Sequence, residues 1–468
     1  MANHNILTYG LDVAQVQQSY YAPQSTIATS GNPVTTIYCF LSWIDSWTDD
    51  KIPPVPTQDQ AYIKNVFKHM FVAKKINASN ISPVTQRINW VSGTTYDYYQ
   101  DTINMFERDS SGFLIFNFYI KNRYDQVFKC LWNNGGAAST DEPFFQPGSY
   151  NTNNVFLSGI DGYKWKYMYT IDVGSKTKFM DSLWMPVLQS GNIPNPLETA
   201  GKGSIDVINV INPGFGYDAV NYPVTVKIDG DGSGATANAV VSNGVVSDVV
   251  VYNPGANYTY ATITITPPGA PGIGETAIAL AQPSPVGGHG HDAISELGCN
   301  HVMYSVDFSG SEYLNGINYI PTDISYHQIG LLINPTDLNN YPNPASNSIY
   351  DLSIQVTVAS GFGSFVSDEI VQQIDQNSSS PTYNQVVFTG TVLSFNTSTN
   401  VVKLINTQGT PLYSSSITGS ISKCSRTLIN VTTPTFVNFS GYISYIENRS
   451  AIQRSSDGTE NFKFVLGY

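Results

Sequence analysis

The motif Asn-Pro-Gly-x-x-Tyr occurs twice, as Asn212-Pro-Gly-Phe-Gly-Tyr217 and, 41 residues later, as Asn253-Pro-Gly-Ala-Asn-Tyr258. A second pair of segments keeps nearly the same spacing: Gly234-Ala-Thr-Ala-Asn-Ala-Val240 returns as Gly274-Glu-Thr-Ala-Ile-Ala-Leu280, 40 residues on. Self-similarity at a fixed period marks one supersecondary unit used twice. Each copy reads as a strand, an Asn-Pro-Gly turn, a strand such as Val224 to Ile228, a glycine-rich turn and a further strand. Between Val240-Val241 and Val245-Val246, the pair Asn243-Gly244 is a hairpin signal. Two copies that pair their apolar faces form a small β-sandwich or barrel. Residues 201–284 are therefore expected to be an inserted all-β repeat module, with Gln282-Pro-Ser-Pro-Val-Gly-Gly288 as its exit linker.

The module divides the rest of the chain. Residues 1–200 read as a mixed α/β domain, and 285–468 as a β-rich domain whose last strands dock back on the N-terminal part. Thr57 as N-cap with Gln60 three residues later makes a capping box. Tyr62, Ile63, Val66, Phe67, Met70 and Phe71 then recur at helical spacing to about Lys74. Ile37 to Trp43, Phe113 to Ile120 and Gln126 to Trp132 read as strands. Tyr163, Trp165, Tyr167 and Tyr169 alternate and predict one aromatic face of a strand. Downstream, His327 to Ile333, Ile354 to Val358, Val386 to Leu393, Val401 to Ile405 and Phe462 to Leu466 are strand-like runs. Phe365 to Ile374 fits either period and is read as strand. The expected class is mainly β with a minor α component, in several domains.

Composition narrows the functions. Charged residues are only 12% of the 468, against about 25% in ordinary soluble proteins, while aromatics also reach 12%. Lys and Arg number 22 and Asp and Glu 35, a net charge of −13, which argues against nucleic acid or anionic membrane as partner. Cys39, Cys130, Cys299 and Cys424 form no CxxC pair and are expected to be reduced, buried thiols. The polar start, Met1 to Gly10, and the lack of an apolar run of about 18 residues lead to the expectation of a soluble protein made in the cytoplasm.

No Walker A loop, GxSxG elbow, HExxH or strand-linked GxGxxG occurs in the chain. Asp229-Gly-Asp231-Gly-Ser233 resembles the opening of a calcium loop, but the closing Glu is lacking. His289, His291, Cys299 and His301 are clustered soft ligands; they suit either zinc or a hydrogen-bonded turn. Counting carboxylates leaves a paired-acid glycosidase open, although nothing in the sequence sets two acids opposite each other.

Several segments together carry a resemblance. In order they are Trp43-Ile-Asp-Ser-Trp47, Ile52-Pro-Pro-Val-Pro56, Gln86-Arg-Ile-Asn-Trp90 with Ser92-Gly-Thr-Thr-Tyr96, Val127-Phe-Lys-Cys-Leu131 and Asp161-Gly-Tyr-Lys-Trp-Lys-Tyr167. Gly287-Gly-His-Gly290 with Glu296-Leu-Gly298, Ile324-Ser-Tyr-His-Gln-Ile-Gly330 and Tyr445-Ile-Glu-Asn-Arg449 complete the series. Outside 201–284 the chain resembles the baseplate wedge proteins of contractile-tailed, T-even-type bacteriophages, the cyanophage branch in particular. The resemblance implies an elongated, homodimeric structural subunit of the virion tail baseplate, assembled in the host cytoplasm, and not an enzyme. It implies other wedge proteins as partners, with no cofactor, metal, nucleic acid or membrane insertion. The motif residues to which it points are Trp43, Trp47, Pro53, Pro54, Arg87, Trp90, Tyr96, Trp165, Gly288, His289, Glu447, Asn448 and Arg449.

For the tryptophans, core packing and subunit contact remain alternatives. Arg87 and Arg449 are expected to meet carboxylates or carbonyls. Glu447 and Arg449, treated as strand neighbours on opposite faces, are expected not to pair. Two other readings stay open: a carbohydrate-binding tail protein that uses 201–284, and a polysaccharide hydrolase.

Overall fold

The computed structural model describes residues 8–21, 35–146, 156–188, 203–269, 274–285, 287–310, 313–314 and 318–468. Strands account for 44% and helices for 9%, so the protein is mainly β with a minor α component. It divides into two compact units that interleave in sequence. One comprises residues 1–18, 82–303 and 465–468; the other comprises 19–81 and 304–464. Residues of 1–200 and of 285–468 thus belong to both, and the expected boundary at 200/201 lies outside the described residues.

In the first unit, strands Tyr119–Lys121, Gln126–Asn133, Tyr163–Thr170 and Phe156–Ser158 form an antiparallel sheet. All eight residues of Gln126–Asn133 are buried. Tyr96, Ile120, Phe128, Cys130, Phe145, Tyr163 and Trp165 pack into one core. Tyr163, Trp165 and Tyr167 share the expected aromatic face, but Tyr169 leaves it: the register shifts between Val127 and Phe128, and the Tyr169 hydroxyl donates to Pro186 O instead. Lys166, on the opposite face, is buried too. Phe113 to Phe118 makes only a single bridge, Leu114 with Arg108, and the strand begins at Tyr119.

The repeat folds as a small two-sheet module within this unit. Ser233–Ser242, Val245–Ala256, Ile208–Asn212 and Ile278–Ala281 make a four-stranded sheet, and Val226–Gly230 pairs with Ala261–Ile265. Ile208, Ala237, Val246, Val249 and Ile265 share one apolar cluster, so the two sheets close over a common core. Asn243 (φ 53°) and Gly244 (φ 77°) turn the predicted hairpin with the positive φ pair that matches strand twist.

The Asn-Pro-Gly motif keeps the same local geometry in both copies, at the end of strand Ile208–Asn212 in the first and within the irregular end of strand Val245–Ala256 in the second. Asn212 and Asn253 each accept the N–H of the glycine two residues on, at 3.0 and 3.1 Å. Gly214 and Gly255 sit at φ 58° and 63°, where an added Cβ would meet backbone oxygens at 2.3 and 2.6 Å. The repeat tyrosines lock the copies together. Tyr217 hydroxyl accepts from Ala277 N–H of the second copy, and Tyr258 hydroxyl from Ala235 N–H of the first. Ser204 and Ser284 clamp the incoming and outgoing chain by backbone and hydroxyl bonds, so the described part of the exit linker is bound rather than loose.

In the second unit, strands Ile349–Asp351, Met70–Lys75, Ile37–Ser42, Ile324–Ile333 and Tyr442–Arg454 lie side by side in that order, all antiparallel. Chain segments some 400 residues apart thereby become second neighbours. Helix Gln60–His69 packs Val66 and Phe67 against this sheet's core. The helix corrects the expected cap: Asp59, not Thr57, is the N-cap, and its carboxylate accepts from Tyr62 N–H at 2.8 Å. It also ends at His69 rather than near Lys74, because Met70–Lys75 is drawn into the sheet by pairing with Ile37–Ser42. The same unit holds a closed six-stranded barrel made of Ile354–Val358, Val401–Gly409, Val386–Asn396, Ile370–Ile374, Ser416–Gly419 and Ser425–Thr432. Val356, Val371, Phe388, Val392, Leu404 and Leu428 fill it. A further helix, Thr8–Tyr21, has no counterpart in the sequence reading.

Candidate interaction site

Six of the motif residues meet in the second unit. Strand Ile37–Ser42 ends on Trp43, whose φ of 62° is exceptional for a bulky residue and costs about 1–3 kcal/mol. The conformation is held from both sides: Trp43 N–H donates to His69 O at 3.2 Å, and Trp43 O accepts from His327 N–H at 2.9 Å. The turn swings the indole between two rings, His69 at 4.2 Å and Trp47 at 4.9 Å, both stacked. His327 meets Trp47 edge-on at 6.0 Å. Carboxylates flank the stack, with Asp45 3.5 Å from His69 Nε2 and Asp50 3.4 Å from His327 Nε2.

The far end of the chain closes the same site. Trp47 Nε1 donates to Arg449 O at 2.9 Å. Asn448 Nδ2 donates to Pro54 O at 2.8 Å, and its Oδ1 accepts from Tyr62 hydroxyl at 3.0 Å and Gln328 Nε2 at 2.7 Å. Burial raises the Tyr62 phenol above its ordinary pKa, so the hydroxyl stays a donor. One amide thus ties the proline segment, the helix and two strands. Pro53 is partly buried and Pro54 exposed, while Ile52 and Val55 beside them are 75% and 84% exposed.

The pairing expected to be absent is present. Arg449 Nη2 lies 2.8 Å from Glu447 Oε1, because the two residues are two apart in the strand and share a face. Tyr445 hydroxyl donates to Glu447 Oε2 at 3.0 Å.

The remaining motif residues lie in the first unit. Trp165 is buried between Tyr163, stacked at 5.4 Å, and Tyr96, edge-on at 5.8 Å. Trp90 Nε1 donates to Ser139 Oγ, and Tyr96 hydroxyl accepts from Val91 N–H at 2.6 Å. Arg87 donates to Asp181 O at 2.6 Å and to Asn89 Oδ1.

Gly288, at φ 91°, leads into His289, which faces a buried ionic group that sequence reasoning missed. Lys129 Nζ lies 3.0 Å from Glu296 Oε2, 3.3 Å from His289 Nδ1 and 4.1 Å from the Tyr99 ring centre. Glu296 Oε1 accepts from Gly290 N–H at 2.7 Å. Burial favours the neutral carboxyl, but Lys129 and His289 outweigh it and hold Glu296 at about 2. Burial, then Lys129, pushes His289 below the usual imidazole range, and burial lowers the neighbouring Lys166 to about 8. In a sequence, Lys129 and Lys166 look like any lysines on strands; only the segment 289–296, distant in the chain, reveals what meets them.

The clustered soft ligands are used separately. His289 joins the ionic group, Cys299 Sγ donates to Val84 O at 3.0 Å, and His301 lies against Trp184 at 4.2 Å. Among the described residues no group of three or more His, Cys, Asp or Glu side chains is placed to hold a metal ion. Asp231, in the calcium-like segment, accepts from Thr259 and Tyr260 N–H groups and serves the turn. All four cysteines are buried and free. Among the described residues no helix is long and apolar enough to cross a membrane. No protein-family model matches the chain, and no curated protein matches it in sequence.

Proposed function

We propose that the chain is a structural subunit of a contractile phage tail baseplate: a homodimeric wedge protein that joins other wedge proteins and acts without catalysis or cofactor. The observation that carries this reading is the convergence of Trp43, Trp47, Pro54, Glu447, Asn448 and Arg449. Segments that resemble wedge proteins lie about 400 residues apart, yet they interlock in one site. A charge-poor, aromatic-rich composition suits a part enclosed by neighbours, because Tyr and Trp give contact area at modest entropic cost and few charges need desolvation. Exposed Ile52 and Val55 on the bound proline segment are apolar contacts ready for such a neighbour.

Multi-angle light scattering of the purified chain tests this reading. The expected mass at micromolar concentration is twice 51.1 kDa. A monomer that also fails to bind the other tail proteins of its virion would overturn it.

A further inference from the structure

The closed barrel of the second unit carries an open cleft of about 790 Å³ on its outer wall. Its floor is the strand pair Ile370–Ile374 and Ser416–Gly419, with Gln372 opposite Thr418. Alternation along Ile370–Ile374 buries Val371 and Gln373 and turns Gln372 outward.

Both walls are fixed from beneath. Gln373 is wholly buried and directs its whole amide at one loop: Oε1 accepts from Leu412 N–H at 2.9 Å, and Nε2 donates to Leu412 O and Ser415 O at 3.0 and 3.3 Å. That loop carries Tyr413, which is 60% exposed. On the other wall, Asp375 accepts from Asn377 N–H at 2.9 Å and from Thr382 hydroxyl at 2.7 Å, which shapes the turn that bears Asn377. Walls set in advance reduce the ordering cost of binding.

The lining selects a ligand class. It offers amides (Gln372, Asn377), hydroxyls (Ser416, Thr418) and the Tyr413 ring, while the buried Asp375 carboxylate is taken up by Asn377 and Thr382. Among the described residues lining it there is no lysine, arginine or histidine, so a phosphate or other anion meets no counter-charge. Apolar lining is confined to Ile374 and Leu412, too little for an acyl chain. Uncharged donors and acceptors around a flat aromatic face complement the hydroxyls and C–H face of a sugar ring. We infer that this cleft is a binding site for a neutral saccharide. The inference goes beyond the wedge reading and does not depend on it; it also places sugar binding on the barrel rather than on the 201–284 module.

The test is a printed array of neutral and acidic oligosaccharides probed with the full chain, followed by titration of a soluble neutral hit. Neutral glycans are expected to bind. Tyr413→Ala should weaken the titrated affinity about tenfold, the loss of one stacking contact, and Gln372→Ala by less. Both side chains are exposed, so unchanged thermal unfolding of the variants will show that the barrel is intact. An array without neutral binders, a preference for acidic glycans, or affinity unchanged in both variants would overturn the inference.

Discussion

In the first unit Lys129 and Glu296 meet at 3.0 Å with 1% and 3% of their side chains exposed; in the second, Arg449 and Glu447 meet at 2.8 Å with 50% and 33%. The geometry is nearly the same, but the energetics are not. Water screens the outer pair, so its contribution is about 0–1 kcal/mol. The inner pair has lost its water, and each ion depends on the other. Removing one partner leaves an uncompensated buried charge, at a cost of about 3–5 kcal/mol. A motif residue therefore has different meanings in the two units: near His289 it fixes the fold, and near Asn448 it shapes a surface.

The largest effect is expected from Glu296→Gln, which strands Lys129. It should lower stability by about 3–5 kcal/mol in chemical denaturation and raise hydrogen exchange across Gln126–Asn133. The double variant Lys129→Met with Glu296→Leu should recover much of the loss. The same group sets a pH response. Glu296 is held at about 2, below its ordinary 4.5, so its contribution is fully present above about 4.5 and is lost as pH falls toward 2. Lys166, lowered to about 8 from 10.5, acts on the alkaline side: its burial penalty is full below 8 and is relieved as pH rises to about 10.5. Equal stability of wild type and Glu296→Gln between pH 5 and 7 would erase the contrast between the units.

Asn448→Ala should have an intermediate effect. It removes the bonds to Pro54 O, Tyr62 and Gln328, for about 1–2 kcal/mol in all. Tryptic cleavage after Lys51 should speed up several-fold as the proline segment loosens. Glu447→Gln should have the smallest effect, under about 1 kcal/mol, and should vanish in high salt. A loss as large as that of Glu296→Gln would mean that the outer pair is buried in the protein in solution.

Much of the strand pattern is legible because β-branched runs and turn residues act locally. Ile354 to Val358 is read to the residue, and the Asn243-Gly244 hairpin follows from φ preference alone. The module is legible because its two copies state the same turn chemistry twice. What fails is whatever depends on distant partners. Met70 to Lys74 has helical spacing, yet pairing with Ile37–Ser42 takes it into a sheet. Lys166 alternates out of an aromatic face and is buried nonetheless. For the site, the motif residues are visible singly, but their meeting is not, since it requires Tyr442–Arg454 to pair with Ile324–Ile333, which itself pairs with Ile37–Ser42.

The proposal that this chain is a built-in part of a tail baseplate is tested most directly by a density map of the phage particle assembled in cells that express it. The account predicts that the chain is found in the baseplate wedge, in contact with a second copy and with other tail proteins, with Ile52 and Val55 covered. Its absence from the particle, or its location away from the tail, would contradict the account.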